Sequence, residues 1–310
     1  MILTVTLNAA IDKRYVVENY QVGEVNRVQE CAYVAGGKGL NVSKTATIAG
    51  AKVLATGFAG GHAGAYIIEA VEKQGVETDF VQVKGESRSC INIYDPVNKT
   101  QTEFLEPGVV VSEAEQRAFY LKFDQLLGKC DVVAMSGSVP KGVGTDMYPK
   151  LVEMAKAAGK KIIVDTSGAL LTEVVKARPN MIKPNIDEIR LLTGRQISDR
   201  EELIEAGIQL QHSGIERVVI SLGADGSLMF VEDGVYQAIV PRIDAVNTVG
   251  CGDCMTAGFA VGFERGMTPT EALRFASAAS AASAMREETG YFETKDMEAL
   301  FDQIEIKKLK

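Results

Sequence analysis

The chain has 310 residues, of which 46% are apolar and 24% are charged, and its formal net charge is −8 at pH 7. This composition excludes a disordered or fibrous chain and supplies enough apolar residues to bury a large core. The acidic balance without a basic run argues against nucleic acid as a partner, and no apolar run approaches the roughly 20 residues of a membrane helix. Two histidines leave almost nothing from which to build histidine triads or His-rich metal sites.

The first predicted element is a strand within residues 1–8, which lack the basic region and the cleavage site of a signal peptide. The cysteines number five, and an odd count without an export signal predicts reduced thiols rather than a disulfide framework. We therefore expect a cytoplasmic protein.

Short apolar runs alternate with helical segments along the rest of the chain. The clearest runs predict strands buried on both faces, at 52–58, 131–136, 161–165 and 217–222. A Ser or Thr followed three residues later by Glu predicts helix starts at Ser112 with Glu115, Ser198 with Glu201 and Thr268 with Glu271. The last helix has Pro269 at its first position and extends to about Arg286. This alternation predicts an α/β protein with a parallel sheet covered by helices.

Two stretches, about 11–34 and 88–105, break the alternation and predict short strands joined by turns. We expect them to form a small β-sheet lid at one edge of a single domain spanning 1–310. Apolar lid residues could pair between two subunits and so predict a homodimer: Tyr15, Val16, Val17, Ile91, Ile93 and Tyr94.

A glycine-rich turn at 35–41 precedes a helix that is predicted to end near Ala49. Its glycines would let the backbone approach a ligand closely, while Lys38 supplies a cation and Asn41 a directional amide. It is not a Walker A loop, because Gly39 follows the lysine where Ser or Thr is required. The alternative is a helix start that glycine merely softens.

A second glycine cluster at 57–64 lies between a predicted strand and a predicted helix, and Asp79 follows at roughly the distance of a Rossmann acidic residue. Ala59 occupies the glycine position that would complete a dinucleotide fingerprint. The cluster therefore favours a tight strand-to-helix turn over an NAD-linked oxidoreductase.

A third cluster at 247–254 opens a predicted helix that continues through Phe263. The backbone N–H groups from Gly250 to Asp253 would point out of the helix N-terminus, whose partial positive charge suits a phosphoryl group in transfer. We expect the helix dipole to keep Asp253 ionised, so that it can accept a proton from an attacking hydroxyl. The alternative is an aspartate that only caps the helix.

Together these residues resemble the ribokinase-like (PfkB) carbohydrate kinase family, in its branch of 1-phosphofructokinases and tagatose-6-phosphate kinases. Seven motifs occur in the family's order over essentially the whole chain, at 4–12, 25–27, 36–41, 136–142, 183–188, 221–226 and 250–253. The resemblance implies a three-layer α/β/α fold with a mostly parallel central sheet and a small β-sheet lid. It also implies an ATP-dependent kinase that converts a ketohexose monophosphate to the 1,6-bisphosphate.

The resemblance carries roles over to individual positions around the third glycine cluster and the sugar. Asp253 matches the catalytic base, and the anion hole matches Gly250, Cys251 and Gly252. The sugar site matches Asp12, Gly36, Gly37, Lys38 and Asn41. The cations that receive the substrate's own phosphate match Arg27, Lys38 and Arg88, in agreement with the charge of such a substrate. The two arginines could alternatively be solvated lid charges.

For the nucleotide, the resemblance implies that Lys183, Asn185 and Glu188 hold the ATP phosphates, with Asn185 and Glu188 holding Mg²⁺ through water. The nucleotide loop matches Ser221, Gly223 and Gly226. K⁺ is a further candidate cofactor whose requirement the sequence leaves open. Asn185 with Glu188 is equally a capping box, and Lys183 could simply close a strand.

Cys251 and Cys254 replace small residues of the family pattern and spell Cys-x-x-Cys around the expected base. No second Cys or His pair exists to complete a zinc site. One hypothesis is that the helix N-terminus lowers the pKa of these thiols, so that peroxide inactivates the enzyme and dithiothreitol restores it.

The substrates implied are ATP and a small phosphosugar, with no nucleic acid or membrane as partner. Residues 86–91 and 102–108 are slightly closer to the tagatose branch, but the sequence does not decide between tagatose 6-phosphate and fructose 1-phosphate. A kinase for an unphosphorylated sugar or nucleoside is the alternative, and three cations near the sugar argue against it. A non-catalytic sugar-phosphate sensor is disfavoured because the base and the anion hole are both present.

Overall fold

The computed structural model describes residues 1–310, which form fifteen strands and ten helices. The strands are β1 (Ile2–Thr6), β2 (Ala10–Val16), β3 (Glu30–Gly36), β4 (Val53–Ala59), β5 (Glu77–Thr78), β6 (Val81–Gln82), β7 (Arg88–Asp95), β8 (Thr100–Leu105), β9 (Val132–Ser136), β10 (Lys161–Asp165), β11 (Met181–Ile182), β12 (Arg217–Ser221), β13 (Ser227–Val231), β14 (Gly234–Ile239) and β15 (Glu305–Lys308). The helices are α1 (Lys38–Ile48), α2 (Gly61–Glu72), α3 (Glu113–Leu127), α4 (Met147–Ala157), α5 (Gly168–Ala177), α6 (Ile186–Thr193), α7 (Arg200–His212), α8 (Cys251–Glu264), α9 (Pro269–Ala284) and α10 (Thr294–Gln303). None of these helices is long and apolar enough to cross a membrane.

The large sheet has eleven strands in the order β15-β14-β13-β12-β11-β10-β9-β1-β4-β5, with β6 also paired to β4. The strands from β12 through β1 to β5 and β6 run parallel, and only β13, β14 and β15 add antiparallel pairs at one edge. The four predicted apolar runs form β4, β9, β10 and β12. The mostly parallel central sheet is therefore confirmed.

The helices cover both faces of this sheet and divide the core into two layers. On one face the buried side chains come from α1, α2, α8, α9 and α10, for example Leu40, Ile67, Phe259, Leu273 and Leu300. On the other face they come from α3 to α7, for example Phe123, Leu151, Val174, Ile189 and Leu203. Strands buried on both sides explain the continuous apolar runs of the sequence, and the three-layer α/β/α arrangement is confirmed.

Two of the three predicted capping boxes are present, at the starts of α3 and α9. The third prediction is wrong by one residue. Asp199 caps α7 by accepting the N–H of Glu202 at 2.9 Å, while Ser198 donates its hydroxyl to the Glu202 carboxylate at 3.0 Å. Helix α9 ends at Ala284 rather than near Arg286, whose guanidinium instead pairs with acids at the start of α10.

The two stretches that break the alternation form a separate four-stranded sheet in the order β3-β2-β7-β8. Strand β2 pairs antiparallel with β3 and parallel with β7. The apolar residues expected at the surface of this sheet are at most half-exposed. Val17 is buried, and its N–H donates to the carbonyl of Tyr94 at 2.9 Å. The large apolar side chains that the sheet exposes are instead Tyr33, Val34, Phe104 and Leu105.

Helices α8 and α9 pack closely because small residues line their contact. A Cβ atom on Gly258 would lie only 2.5 Å from the Cα of Ala276. Because that neighbour is backbone, one helix would have to move to admit a methyl group.

We therefore predict that Gly258→Ala lowers the free energy of unfolding by about 1–3 kcal/mol, as overpacking does, although alanine favours helix more than glycine. Urea denaturation measures the change. The matched control is Gly128→Ala at the end of α3, where φ is −68° and the nearest atom is 3.5 Å from the added Cβ, so no loss is expected. Equal effects of the two substitutions would contradict this account of the helix contact.

Candidate active site

The predicted site residues converge at the carboxyl edge of the large sheet, where parallel strands present their loops. Strand β10 ends there in Asp165, and Lys183 follows the end of β11. Helix α8 begins at the same edge with Asp253 in its first turn. The topology thus brings together residues that are far apart in the sequence.

Asp253 is 5% exposed, and its Oδ2 accepts a hydrogen bond of 2.8 Å from Nδ2 of Asn41 on α1. Burial and the charge of Asp165 raise the pKa of Asp253 to about 6, while Lys38, Asn41 and Lys183 act in the opposite direction. The helix dipole therefore does not decide the pKa of Asp253, because desolvation of the carboxylate is the larger effect. Roughly 90% of Asp253 is still ionised at pH 7.

The glycines before Asp253 are required by close contacts. Gly250 has φ +85°, and a Cβ there would lie 2.6 Å from Thr289. A Cβ on Gly252 would lie 3.2 Å from Nζ of Lys183. The N–H groups of Gly252 and Asp253 make no backbone hydrogen bond, as is usual in a first helical turn. This turn therefore presents free N–H donors beside a buried ammonium group.

Asp165 is an acidic residue of the site that sequence reasoning missed. Its side chain is 2% exposed, and its carboxylate lies 3.3 Å from Nζ of Lys183 and 4.0 Å from Nζ of Lys38. It also accepts the hydroxyl of Thr256 at 3.1 Å. An acid at the carboxyl end of a buried strand was the available signal.

Lys38 connects this acidic pair to the glycine turn at the start of α1. Its side chain is 47% exposed, and the charge of Asp165 raises its pKa. Gly37 has φ +104°, which the turn into α1 requires of a glycine. Lys38 is thus an accessible cation held beside two buried carboxylates.

Asp12 lies on β2 directly opposite the same turn. A side chain at Gly36 would overlap the Asp12 carboxylate, so glycine is needed for their close approach. Burial raises the pKa of Asp12, and the nearby charges of Lys44 and Arg88 oppose that shift. Lys44, a second residue missed from the sequence, is 9% exposed, and burial lowers its pKa.

The two arginines expected to bind a substrate phosphate are placed differently. Arg88 is half-buried and donates from Nε to the carbonyl of Asn8 at 3.1 Å and from Nη1 to that of Glu106 at 3.0 Å. Arg27 lies in the exposed connection between β2 and β3 and forms no side-chain hydrogen bond or ion pair. Arg88 thus lies near Asp12, while Arg27 is an exposed side chain without a partner in the chain.

Asn185 and Glu188 form the capping box of α6, with bonds of 2.9 Å and 2.8 Å between each side chain and the other residue's N–H. Only Oε2 of Glu188 is used, so Oε1 remains available. No group of three or more metal-ligating side chains exists. Mg²⁺ in kinases is held mainly by water and substrate phosphates with one or two carboxylates, so this sparse set of ligands fits it.

The predicted nucleotide loop adjoins this capping box. The N–H of Ser221 donates to the carbonyl of Pro184 at 3.1 Å, one residue before Asn185. Gly223 and Gly226, with φ +62° and +84°, bracket a short 3₁₀ turn between β12 and β13. Both predicted nucleotide segments therefore lie side by side at one edge of the sheet.

The second glycine cluster forms the turn between β4 and α2 and leaves no place for a dinucleotide phosphate. The carboxylate of Glu86 already accepts the N–H groups of His62 at 3.0 Å and Ala63 at 2.9 Å at the start of α2. Asp79 is paired with Lys122 rather than free to bind a ribose. A dinucleotide site at this turn is therefore not supported.

The chain is similar over nearly its whole length to proteins of one known family. Residues 5–296 match the model of the pfkB family of carbohydrate kinases. The chain belongs to this family. It is 39% identical over 309 residues to tagatose-6-phosphate kinase from Staphylococcus epidermidis, covering 99% of each chain.

Two solved structures are similar over nearly their whole length. A possible 1-phosphofructokinase from Thermotoga maritima has a TM-score of 0.91 and 29% identity, with 100% of both chains covered. Phosphofructokinase-2 from Escherichia coli, solved in complex with potassium, has a TM-score of 0.91 and 25% identity, with 97% of this chain and 98% of that chain covered. The ribokinase-like fold and a phosphotransferase with an alcohol group as acceptor are thereby confirmed.

The pKa values of the two thiols in the site are raised rather than lowered, contrary to the hypothesis. Burial raises the pKa of Cys251 to about 12 and that of Cys254 to about 11, and the negative charge of Asp253 adds to both. Cys254 is also in contact with the hydroxyl of Thr45 at 3.3 Å. The helix N-terminus does not compensate for the loss of water around these sulfur atoms.

Of the five thiols, only that of Cys31 is exposed. We predict that the folded protein shows one fast-reacting thiol with Ellman's reagent at pH 8, and that Cys31→Ser removes this fast phase. Cys90→Ser, the control in the same small sheet, should leave the phase intact. A fast phase that survives in Cys31→Ser, or loss of kinase activity reversed by dithiothreitol, would support the original hypothesis instead.

Proposed function

We propose that this chain phosphorylates the free primary hydroxyl of a ketohexose monophosphate with ATP, and that tagatose 6-phosphate is its substrate. The observation that carries the proposal is the buried Asp253 carboxylate, held by Asn41 at a glycine turn with Lys183 beside it. The tagatose-6-phosphate kinase relatives support the choice of sugar. Fructose 1-phosphate is the second candidate, favoured by the likeness to the Thermotoga maritima protein.

The proposed role of Asp253 is that of general base. Oδ2 is held by Asn41, so Oδ1 is the oxygen free to receive the proton of the substrate hydroxyl. As that proton moves to Asp253, the hydroxyl oxygen attacks the γ-phosphorus, and ADP leaves with the electrons of the broken P–O bond. The hydrogen bond from Asn41 fixes the carboxylate for this transfer.

Charge on the γ-phosphoryl group is stabilised, in this proposal, by the N–H groups that follow Gly250 and by Nζ of Lys183. They are preorganised, since Lys183 is 6% exposed and paired with Asp165 before any substrate binds. Mg²⁺ bound with ATP neutralises charge on its phosphates, and Asn185 and Glu188 would hold it through water. K⁺ is a candidate activator on the basis of the potassium complex of E. coli phosphofructokinase-2.

For the sugar we propose that Asp12 and the turn at Gly36 and Gly37 contact its hydroxyl groups. Lys38 and Arg88 would receive the phosphate already on the substrate. Lys38 directly follows the glycine turn, and the charge of Arg88 lies near Asp12. Arg27 would contact the substrate phosphate together with Lys38 and Arg88 only if the exposed connection between β2 and β3 moves toward the sugar. Cations at these positions favour a phosphorylated over an unphosphorylated sugar.

We propose that the small sheet acts as a lid on one domain spanning 1–310 and as the contact of a homodimer. Arg88 joins the sheet to the loop after β1, which would transmit closure to the sugar site. Tyr33, Ile91 and Phe104 lie in one register row, in which β2 contributes Lys13 between Tyr33 and Ile91. The ammonium of Lys13 lies over the Tyr33 ring, so the row offers aromatic and aliphatic surface for self-association with one cation within it. E. coli phosphofructokinase-2 is described in a tetrameric form, which supports self-association of the family's fold. We also propose a cytoplasmic location, where ATP and sugar phosphates are available.

The proposal is tested by ADP release with tagatose 6-phosphate, fructose 1-phosphate, fructose 6-phosphate and free fructose. We expect the highest kcat/KM with tagatose 6-phosphate. Asp253→Asn should lower kcat by about 10²–10⁴-fold, the usual contribution of a general base, while ATP binding is retained. Asp302→Asn, an exposed acid on α10, is the matched control. Near-normal turnover in Asp253→Asn, or preference for free fructose, would overturn the assignment.

The raised pKa of Asp253 predicts an acid limb in the rate profile. Because the ionised carboxylate of the free enzyme is the active form, kcat/KM should be constant above pH about 7 and fall tenfold per pH unit well below pH about 6. The substrate phosphate also titrates near pH 6. Asp165→Asn distinguishes the titration of Asp253 from that of the substrate phosphate. The variant lacks a negative charge that raises the pKa of Asp253, so the acid limb should move to lower pH. A limb at the same pH in that variant would assign the titration to the substrate.

A further inference from the structure

A cavity of about 760 Å³ lies behind the nucleotide loop, between the amino ends of α6 and α7 and the strands β14 and β15. Ligand sites commonly have volumes of about 300–1,000 Å³. None of the fifteen residues that line it is among the predicted site residues. The cavity is thus large enough for a metabolite and is not explained by the proposed reaction.

Most of the cavity lies on the face of the large sheet opposite the candidate active site, although Val240 of its lining packs against the other core layer. Ile186 and Leu203 line the cavity, and both belong to the core layer that α3 to α7 form against the sheet. Asp253 lies on α8, whose buried residues Ala257 and Phe259 belong to the other core layer. The nucleotide loop separates the two.

The charge of the cavity is positive. Its lining includes four cations, Arg190, Arg200, Arg242 and Lys307, and two acids, Asp199 and Asp225, which gives a net charge of +2. Two of these cations are already engaged, since Arg190 pairs with Asp187 at 2.9 Å and Arg200 donates to Gln237. The carboxylate of Asp199 is used in capping α7.

Two cations of the wall are therefore left for a ligand. Arg242 follows β14, Lys307 lies on β15, and neither forms a side-chain hydrogen bond or an ion pair with the rest of the chain. Apolar side chains, among them Ile186, Ile197 and Ile239, form the neighbouring wall. An anionic group and an apolar body can thus be accommodated together.

We propose that this cavity is a binding site for a small organic phosphate, with its phosphate at Arg242 and Lys307 and its apolar or ring portion against the isoleucines. A guanidinium offers paired donors that match phosphate oxygens, and the ammonium adds a second charge. An apolar wall beside the cations favours an ester with a ring over inorganic phosphate, because the ring gains from leaving water.

The position of the cavity couples it to the nucleotide loop. Leu222, Ala224 and Asp225 line the cavity, and each is adjacent in the chain to one of the loop residues Ser221, Gly223 and Gly226. Occupancy would therefore change the affinity of the loop for ATP, and this coupling rests on the proposed function. Binding itself does not, so the two can fail separately.

The test uses methyl NMR spectra of protein labelled at isoleucine, saturated with Mg²⁺ and β,γ-methylene-ATP, and titrated with phenyl phosphate. We expect saturable shifts of the Ile186, Ile197 and Ile239 methyl signals, with phenol and inorganic phosphate binding at least about tenfold more weakly. The double variant Arg242→Ala/Lys307→Ala should weaken binding of phenyl phosphate by about tenfold or more. Both side chains are exposed and unbonded, so the fold is expected to persist.

Lys52→Ala/Lys129→Ala removes the same charge from exposed positions elsewhere and should bind phenyl phosphate as the wild-type chain does. Absence of saturable shifts at these three methyl groups, or equal binding in the two double variants, would overturn the proposal. Loss of kinase activity in every sugar assay with the shifts intact would refute the proposed reaction and leave this site standing.

Discussion

Two buried carboxylates at one edge of the sheet, Asp165 and Asp253, set the constraint on which the site depends. Neither is more than 5% exposed, and the negative charge of Asp165 raises the pKa of Asp253. Lys183 and Lys38 balance their charge, and Asn41 donates to the second of them. A buried charge is tolerated only when it is paired and hydrogen-bonded, so the lysines and the amide are needed to keep the base ionised near neutral pH.

This density of charge requires small residues around it. Gly252 allows Nζ of Lys183 to approach the start of α8, and Gly36 allows the Asp12 carboxylate to lie against β3. The contact between Gly258 and Ala276 places α8 against α9 at the same time. The glycines that stand out in the sequence are therefore explained by the close approach of backbone to side chains from other elements.

The large sheet lies between the candidate active site and most of the cavity near α6 and α7. Its carboxyl edge and the layer of α8 carry the buried acids with their lysines, while the layer of α6 and α7 carries the cavity with the unpaired Arg242 and Lys307. The nucleotide loop contributes residues to the cavity and to the candidate active site. A net charge of −8 over the whole chain is consistent with two small sites for anions, because a few placed cations decide local binding.

The layered α/β fold, most element positions, three capping boxes and the family could be predicted from the sequence, because these depend on periodicity, turn residues and motifs that are local along the chain. Asp165, Lys44 and the exact cap of α7 were missed, since their surroundings come from other elements. The raised pKa values of Asp253, Cys251 and Cys254 follow instead from the packing of distant segments around them. They result from desolvation and from partners such as Asn41, 212 residues away from Asp253, which no local pattern reveals.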